Sequence, residues 1–161
     1  QFARMIGCRV IATSSSDDKL ARLEALGAEV LINYSETPEW GDQVLQATDG
    51  QGADLVVEVG GSGTVAQSVR AVACGGCISM IGVLTGFSGA VPTADLFQKN
   101  ARIHGISVGS QQHQADMIAA REANDLKPVI DSSYPLAELA GAFSLQEYQQ
   151  HFGKICVDIQ D

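Results

Sequence analysis

Residues 8–34, CRVIATSSSDDKLARLEALGAEVLINY, contain an apolar run, a polar turn, an amphipathic stretch and a second apolar run. Ser16 can cap a helix that begins with Asp17 and Asp18, because acidic side chains stabilise the positive end of a helix dipole. Gly27 can end this helix because glycine readily adopts left-handed backbone angles. The segment therefore predicts a strand, a helix and a second strand parallel to the first.

The rest of the chain repeats this alternation. Apolar runs without strict alternation, which are typical of parallel strands covered on both faces, occupy residues 8–13, 29–34, 53–59, 77–84 and 102–109. Helical patterns occupy residues 17–26, 38–48, 64–73, 96–102 and 111–124. After residue 127 the pattern continues with a short strand, a helix and a terminal strand, at residues 129–134, 136–149 and 153–159. The predicted fold class is α/β, with a doubly wound parallel sheet.

Composition sets limits on the function. The chain has 161 residues, enough for one domain with its own core, and 45% of them are hydrophobic while 18% are charged. A net charge of −9 with ten Lys and Arg argues against a nucleic-acid surface. We find neither an apolar run of about 20 residues, as a membrane span requires, nor a signal-peptide pattern. The expectation is a cytoplasmic protein without nucleic-acid or membrane partners.

The segment 74–77, CGGC, has the cysteine spacing of redox dithiols and zinc knuckles. A zinc site would require a second Cys or His pair, but Cys8 and Cys156 are isolated and the three histidines are scattered. A redox dithiol should begin a helix, whereas residues 77–84 resemble a strand. We interpret the segment as a helix-to-strand turn whose two glycines adopt backbone angles that larger residues resist. No metal ligand is assigned in this chain.

Ligands of parallel α/β sheets bind beyond the carboxyl ends of the strands. In this sequence those ends are rich in serine and glycine, and no G-x-G-x-x-G or P-loop signature follows a strand. Two interpretations remain open: the small residues admit a flat ligand close to the backbone, or they only make tight turns.

Six segments, taken in order, closely resemble the cofactor domain of the medium-chain dehydrogenase/reductase superfamily, which includes zinc-type alcohol dehydrogenases and quinone oxidoreductases. They are residues 7–34, 52–61, 73–86, 103–110, 127–143 and 151–159. The resemblance extends over residues 1–159. It implies a Rossmann-type domain of an oxidoreductase that transfers hydride between a nicotinamide cofactor and an alcohol, carbonyl, quinone or enone substrate.

In the family, a catalytic domain, a first strand and a glycine-rich turn come before the helix that residues 1–7 resemble. The resemblance therefore implies that residues 1–161 are an incomplete cofactor domain, in which 128–161 is the segment returning toward the catalytic domain. Catalytic residues and any zinc ligands would lie in that other domain, so we assign none here. Without the first strand, the strands at 8–13 and 53–59 would lie about 10 Å apart.

Two consequences are expected from this gap. The terminal strand would have no partner in the chain. Buried backbone groups would be left unpaired, so residues 1–161 alone should be unstable and inactive.

The resemblance also implies a cofactor preference. NAD-selective members commonly have an acid at the end of the second strand, where this chain has Ser14. The hydroxyls of Ser14 and Ser15 and the charge of Lys19 suit the extra phosphate of NADP(H). Tyr34 matches a tyrosine near the adenosine phosphate in quinone oxidoreductase-like relatives. We therefore favour NADP(H) over NAD(H).

Alternatives to these assignments stay open. Asp17 or Asp18 could be the displaced acid, although the first helical turn favours a solvated role at the helix dipole. Lys19 could be an exposed helix residue, and Tyr34 a half-buried aromatic at a strand end.

The remaining cofactor contacts also rest on the resemblance. It places the ribose and pyrophosphate beside Gly60, Gly82 and Val83, and the nicotinamide beside Leu84, Ser107, Val108 and Gly109. It further implies a homodimer formed through the edge strand 102–109. Two other functions remain as alternatives: a non-catalytic nucleotide-binding or interaction module of the same fold, and an S-adenosylmethionine-dependent methyltransferase, which the serine at position 14 disfavours.

Overall fold

The computed structural model describes residues 1–159. The chain divides into two compact units, Gln1–Gln114 and Ala115–Asp161, and the division falls within α6. The helices are α1 (Phe2–Met5), α2 (Asp17–Ala25), α3 (Trp40–Ala47), α4 (Val65–Ala71), α5 (Thr93–Gln98), α6 (Gln111–Ala123) and α7 (Leu139–Glu147). The strands are β1 (Ile11–Ser14), β2 (Val30–Asn33), β3 (Ala53–Glu58), β4 (Val72–Met80), β5 (Arg102–Gly105), β6 (Ile130–Pro135) and β7 (Lys154–Asp158).

The first unit contains two parallel sheets. One has the order β1-β2 and the other β3-β4-β5, and every ladder in both is parallel. This confirms the predicted α/β class. Within the described residues, β1 and β3 share no ladder, so each forms an edge of its own sheet.

The first crossover follows the local signals in its sequence. The Ser16 hydroxyl accepts a hydrogen bond from the Lys19 amide at 3.4 Å, as an N-cap does. Gly27 has a φ of 95°, which ends α2 in the left-handed region. Leu20, on the inner face of α2, is buried.

The core of the first unit is centred on α4. Val65 and Val69 of α4 pack with Val72 and Ile78 of β4, and all four are at most 1% exposed. Ala71, at the end of α4, packs instead against residues of β2 and α3. Each fully buried Val or Ile stabilises the fold by about 1.5 to 3 kcal/mol. This helix therefore contributes to the cores of both sheets.

The Lys99 side chain secures the end of α4. Its Nζ donates hydrogen bonds to the carbonyl oxygens of Val69, Arg70 and Val72 at 2.9, 2.6 and 2.8 Å. These carbonyls belong to the last turn of the helix and its first following residue, where acceptors lack helical partners. The helix that precedes Lys99 is α5, which spans Thr93–Gln98 rather than the predicted residues 96–102. It ends early because Asn100 takes a φ of 49°.

The CGGC segment is not the predicted turn between a helix and a strand. Strand β4 begins at Val72, directly after α4, and the segment lies inside it. The register shifts there, since Ala53 faces Val72 while Leu55 faces Cys77. Gly75 does adopt a left-handed φ of 76°, as expected for a glycine that accommodates the irregularity.

The second unit contains a parallel pair of strands, β6 and β7, in contact with α7. The expectation that the terminal strand lacks a partner is therefore wrong. Strand β6 supplies the ladder, and the Lys154 amide extends it by donating to the Val129 carbonyl at 2.8 Å. A side-chain bond adds to this junction, because the Phe152 amide donates to Asp131 Oδ1 at 2.8 Å.

Among residues 1–159, no helix is both long enough and apolar enough to pass through a bilayer.

Candidate cofactor-binding site

The carboxyl ends of β1 and β2 form a polar surface that we call the polar tip, made of residues 14–19 and 33–35. Ser14 lies opposite Asn33 in the ladder, and its carbonyl accepts from the Tyr34 amide at 3.0 Å. The Ser14 hydroxyl accepts from the Ser16 amide at 3.2 Å. Ser14 is half-buried and Ser15 is exposed. The structure thus brings the predicted Ser14 and Tyr34 together through the backbone.

The polar tip also holds a carboxylate. Asn33 Nδ2 donates to Asp17 Oδ1 at 2.8 Å, and Asn33 Oδ1 accepts from the Ser35 amide at 3.0 Å. Asp17 stands in the first turn of α2, as predicted, but this bond also fixes its side chain at the end of β2. Asn33 was not among the predicted site residues, although an amide side chain as the last residue of β2 was a visible signal. A phosphate at this tip would experience the charge of Asp17.

Lys19 and Tyr34 are the other predicted residues of the polar tip, Lys19 in α2 and Tyr34 directly after Asn33. Lys19 is half-buried in the first turn of α2, and its backbone amide donates a hydrogen bond to the Ser16 hydroxyl. Tyr34 directly follows β2, and 44% of it is exposed. The polar tip therefore contains a lysine and an exposed aromatic ring.

The carboxyl ends of β3 and β4 form a second surface, which we call the glycine tip, made of residues 58–64 and 81–89. Its anchor is Glu58, the last residue of β3, which is only 3% exposed. Glu58 Oε1 accepts from the amides of Gly60 and Gly61 at 2.7 and 3.0 Å. The same oxygen accepts from the Thr64 hydroxyl at 2.6 Å, and Oε2 accepts from the Ser68 hydroxyl.

These contacts determine the charge state of Glu58. Burial raises the pKa of the carboxyl, while hydrogen bonds from Ser68, Thr64, Gly61 and Gly60 lower it. The hydrogen bonds prevail, and the pKa of Glu58 lies below its ordinary value. Glu58 is therefore an ionised, buried carboxylate at neutral pH.

Thr85 joins the two halves of the glycine tip. Its amide and its hydroxyl both donate to the Gly60 carbonyl, at 2.7 and 2.8 Å. Its hydroxyl oxygen in turn accepts from the Gly63 amide at 2.7 Å. The loops after β3 and β4 are thus hydrogen-bonded to each other.

Glycine is required here because the two loops approach closely. A Cβ on Gly82 would lie far inside van der Waals contact with the Val59 carbonyl oxygen, and a Cβ on Gly61 would lie 2.8 Å from Val83 Cα. Both backbone polar groups of Gly60 are already hydrogen-bonded within the protein. The tight-turn interpretation therefore accounts for these glycines. Gly60 would contact a ligand through van der Waals packing rather than through its amide or carbonyl.

Apolar residues surround the glycine tip. Val83 and Leu84 are 42% and 76% exposed, and both follow β4. The segment after β5 lies beside this tip, because the Ile106 amide donates to the Met80 carbonyl at 2.9 Å. Within that segment Ser107 and Gly109 are exposed, as is Val108 at 84%. The structure thus places the predicted nicotinamide residues at the carboxyl ends of adjacent strands.

The segment then enters α6 through a reciprocal cap. The His113 amide donates to Ser110 Oγ at 3.1 Å, and the Ser110 amide donates to His113 Nδ1 at 3.3 Å. This is the geometry of a capping box, with an imidazole where Glu or Gln is usual. His113 was not predicted as a capping residue because the general capping-box motif has Glu or Gln at this position.

The described residues do not fit a zinc site. Residues 1–159 contain no group of three His, Cys, Asp or Glu side chains that could hold a metal ion, and the four cysteines are free. A dinucleotide fits better, because hydroxyl groups, close-packed backbone and exposed apolar side chains lie at the carboxyl ends of the parallel strands.

Fold and site together define a Rossmann-like cofactor-binding domain. The sequence profile of the family described as zinc-binding dehydrogenase matches residues 1–123. The chain therefore belongs to this family, and it corresponds to the C-terminal cofactor-binding domain of the medium-chain dehydrogenase/reductase superfamily, as the resemblance implied.

Individual relatives agree with this assignment. A zinc-type alcohol dehydrogenase-like protein of Schizosaccharomyces pombe is 42% identical over 99% of the chain and 47% of its own length. A quinone oxidoreductase of Rattus norvegicus is 26% identical over 88% of the chain and 44% of its own length. A crystal structure of an NAD-dependent alcohol dehydrogenase is 35% identical with a TM-score of 0.90, over 99% of the chain and 46% of that protein. The chain thus spans about half the length of these relatives.

Proposed function

We propose that this chain is the NADP(H)-binding portion of an oxidoreductase that transfers hydride between the cofactor and an alcohol, carbonyl, quinone or enone substrate. The observation that supports it most is the polar tip, where β1 ends in Ser14 rather than in an acid and Lys19 lies in the first turn of α2. When bound, the nicotinamide supplies or accepts the hydride, while the protein binds and orients it. Catalytic residues are not proposed for this chain.

The polar tip would receive the adenosine phosphate. The hydroxyls of Ser14 and Ser15 can donate to phosphate oxygens, and Lys19 provides a positive charge within the same turn. Tyr34, exposed after β2, would lie beside the adenosine. These contacts favour a phosphorylated ribose over one with two hydroxyls.

The glycine tip would receive the other half of the cofactor. The ribose and pyrophosphate would lie beside Gly60, Gly82 and Val83. In this part of the glycine tip the loops after β3 and β4 pack closely against each other. The exposed side chain of Leu84 and the segment 107–109 would flank the nicotinamide. Apolar contact on this side would also keep water away from the ring.

A second candidate is NAD(H), and the Asp17 carboxylate favours it. Asn33 holds this carboxylate at the end of the two-stranded sheet, where it could accept hydrogen bonds from ribose hydroxyls and repel a phosphate. The 35% identical crystal structure is described as NAD-dependent, which supports the same alternative.

Titrating the full-length protein with NADPH and NADH, followed by fluorescence, tests the proposal. We expect NADPH to bind at least about tenfold more tightly, a difference of about 1.4 kcal/mol. Lys19→Ala should weaken NADPH binding by about fivefold and leave NADH binding within about twofold, since one ion pair near the surface contributes up to about 1 kcal/mol. Lys127→Ala, a substitution of a lysine in the second unit with an 82% exposed side chain, is the matched control. Tighter NADH binding would establish the second candidate instead.

Three further parts of the proposal concern the whole protein. We propose a homodimer formed through the strand segment 102–109, since within residues 1–159 β5 has a ladder partner only on its β4 side. Four free cysteines support a reducing, cytoplasmic location. Residues 1–161 alone should be inactive, so hydride transfer by the full-length protein distinguishes an enzyme from a non-catalytic binding module.

A further inference from the structure

Glu58 is a buried carboxylate to which the proposed function gives no role. It lies at the end of β3 and is 3% exposed, while a charged side chain this buried requires full compensation. Four hydrogen-bond donors supply it: the amides of Gly60 and Gly61 and the hydroxyls of Thr64 and Ser68. Three of the four donors belong to the loop between β3 and α4, so the carboxylate determines how that loop folds.

The effect of Glu58 extends to the loop after β4. Oε1 of Glu58 holds the Gly60 amide, and the Gly60 carbonyl on the other side of the same residue accepts twice from Thr85. Thr85 directly follows Leu84, one of the residues proposed to flank the nicotinamide. A continuous series of hydrogen bonds therefore runs from the buried carboxylate to the exposed apolar part of the glycine tip.

We propose that Glu58 is a positioning residue that holds the glycine tip, through Gly60 and Thr85, in the shape that receives the nicotinamide half of the cofactor. This inference rests on the proposed function. It concerns one half of the cofactor only, because the polar tip that would receive the adenosine phosphate is formed by β1 and β2, outside this series of bonds.

A carboxylate suits this position for a chemical reason. Ionised Glu only accepts hydrogen bonds, so both oxygens can serve several donors at once, and such bonds are stronger than neutral ones. Glutamine would keep one oxygen but replace the other with an NH₂ group facing the Ser68 hydroxyl. Glu58→Gln preserves the size of the side chain but removes its charge, so the hydrogen bonds from the amides of Gly60 and Gly61 become weaker neutral ones.

Half-molecule binding separates a positioning role from a general loss of structure. In the full-length protein, we would measure the Kd of NADPH and of 2′,5′-ADP, which has the adenosine phosphates but lacks the nicotinamide. For Glu58→Gln we expect NADPH to bind about tenfold more weakly, or about 1.4 kcal/mol. The Kd of 2′,5′-ADP should stay within about twofold.

Thr85 supplies an independent pair of variants. Thr85→Val removes the hydroxyl that links Gly60 and Gly63 and should reproduce the selective loss of NADPH affinity, whereas Thr85→Ser retains the hydroxyl and should restore it. Ser144→Ala is the control, because the exposed Ser144 hydroxyl donates to the Ala140 carbonyl within α7, outside this series of bonds. This control should stay within about threefold of the wild type for both probes.

Each outcome decides the matter. Equal weakening of NADPH and 2′,5′-ADP, or no weakening in any variant, overturns the positioning role. If Glu58→Gln does not fold, the Thr85→Val and Thr85→Ser pair decides alone. Wild-type protein that binds neither NADPH nor NADH would instead overturn the proposed function, and the inference with it.

Discussion

The polar tip and the glycine tip end different sheets of the same unit, and they are built in different ways. In the polar tip the bonds are local or exposed, such as Ser16 to Ser14 at 3.2 Å and Asn33 to Asp17 at 2.8 Å. In the glycine tip, a buried carboxylate and a threonine join backbone groups from two loops. The first surface is made of side chains, and the second is made mostly of backbone.

This difference predicts how the two tips respond to substitution. Substituting exposed side chains costs little stability, so substitutions in the polar tip can change which ligand the protein prefers. The glycine tip depends on close approach of two loops, so changes there should first affect folding and shape. Selectivity and stability are therefore expected to separate between the two tips.

The largest expected effect is on the stability of the glycine tip. Gly82→Ala should lower the free energy of unfolding by about 3 kcal/mol, because its Cβ would collide with the Val59 carbonyl oxygen and the backbone must move. Urea unfolding of the full-length protein measures this. Gly141→Ala is the control, since a Cβ there would meet only the Tyr134 ring, at an ordinary contact distance of 3.6 Å, and it should not lower the free energy of unfolding. Equal stability of the two variants would show that the loops are not tightly packed.

A smaller effect should depend on pH. Because the pKa of Glu58 is lowered in the folded protein, its ionised form stabilises the fold above the ordinary pKa of Glu, about 4.3, and this contribution disappears as the pH falls through the folded value. Glu58→Gln should therefore be about 1.5 kcal/mol less stable than wild type at pH 7. The difference should shrink below about pH 4.

Urea unfolding at several pH values measures this difference. Glu36→Gln, at an exposed position, serves as the control and should remain within about 0.5 kcal/mol of wild type at pH 7. A deficit of Glu58→Gln that stays constant down to pH 3 would mean that charge at Glu58 does not stabilise the fold.

The smallest effect should be on ligand choice at the polar tip. Asp17→Asn removes a negative charge where the phosphate of NADP(H) would lie, so NADPH should bind about threefold more tightly while the unfolding free energy changes little. The comparison is Asp18→Asn, which removes a neighbouring charge in the same turn. Similar gains for both variants would indicate a general charge effect rather than a contact. The gain should decrease at high salt, because exposed charges are screened.

Local signals made much of the fold predictable. Ser16 and Gly27 act within one helical turn of their own positions, so the boundaries of α2 followed from sequence. Asn100 ended α5 earlier than predicted, because a left-handed φ outside glycine is not evident from residue type alone. The β6–β7 pairing was missed for a different reason, since strand partners distant in sequence are selected by tertiary structure.

The candidate site divides in the same way. The serines and glycines at the strand ends were visible as a pattern, and the structure places them in the polar tip and the glycine tip. The bonds between Asp17 and Asn33, and between Gly60 and Thr85, join residues 16 and 25 positions apart. No periodic pattern of residues marks such pairs, which is why the analysis of the sequence overlooked Asn33 and Glu58.

The sequence by itself determined the alternation of strands and helices, the family, and the polar character of the first tip, because each depends on residue type and short spacing. Only the tertiary structure decided that the glycines of the second tip serve loop packing, that Glu58 is their anchor, and that β7 pairs with β6. Those features depend on which distant segments approach one another. Burial then determines which polar groups must find partners there.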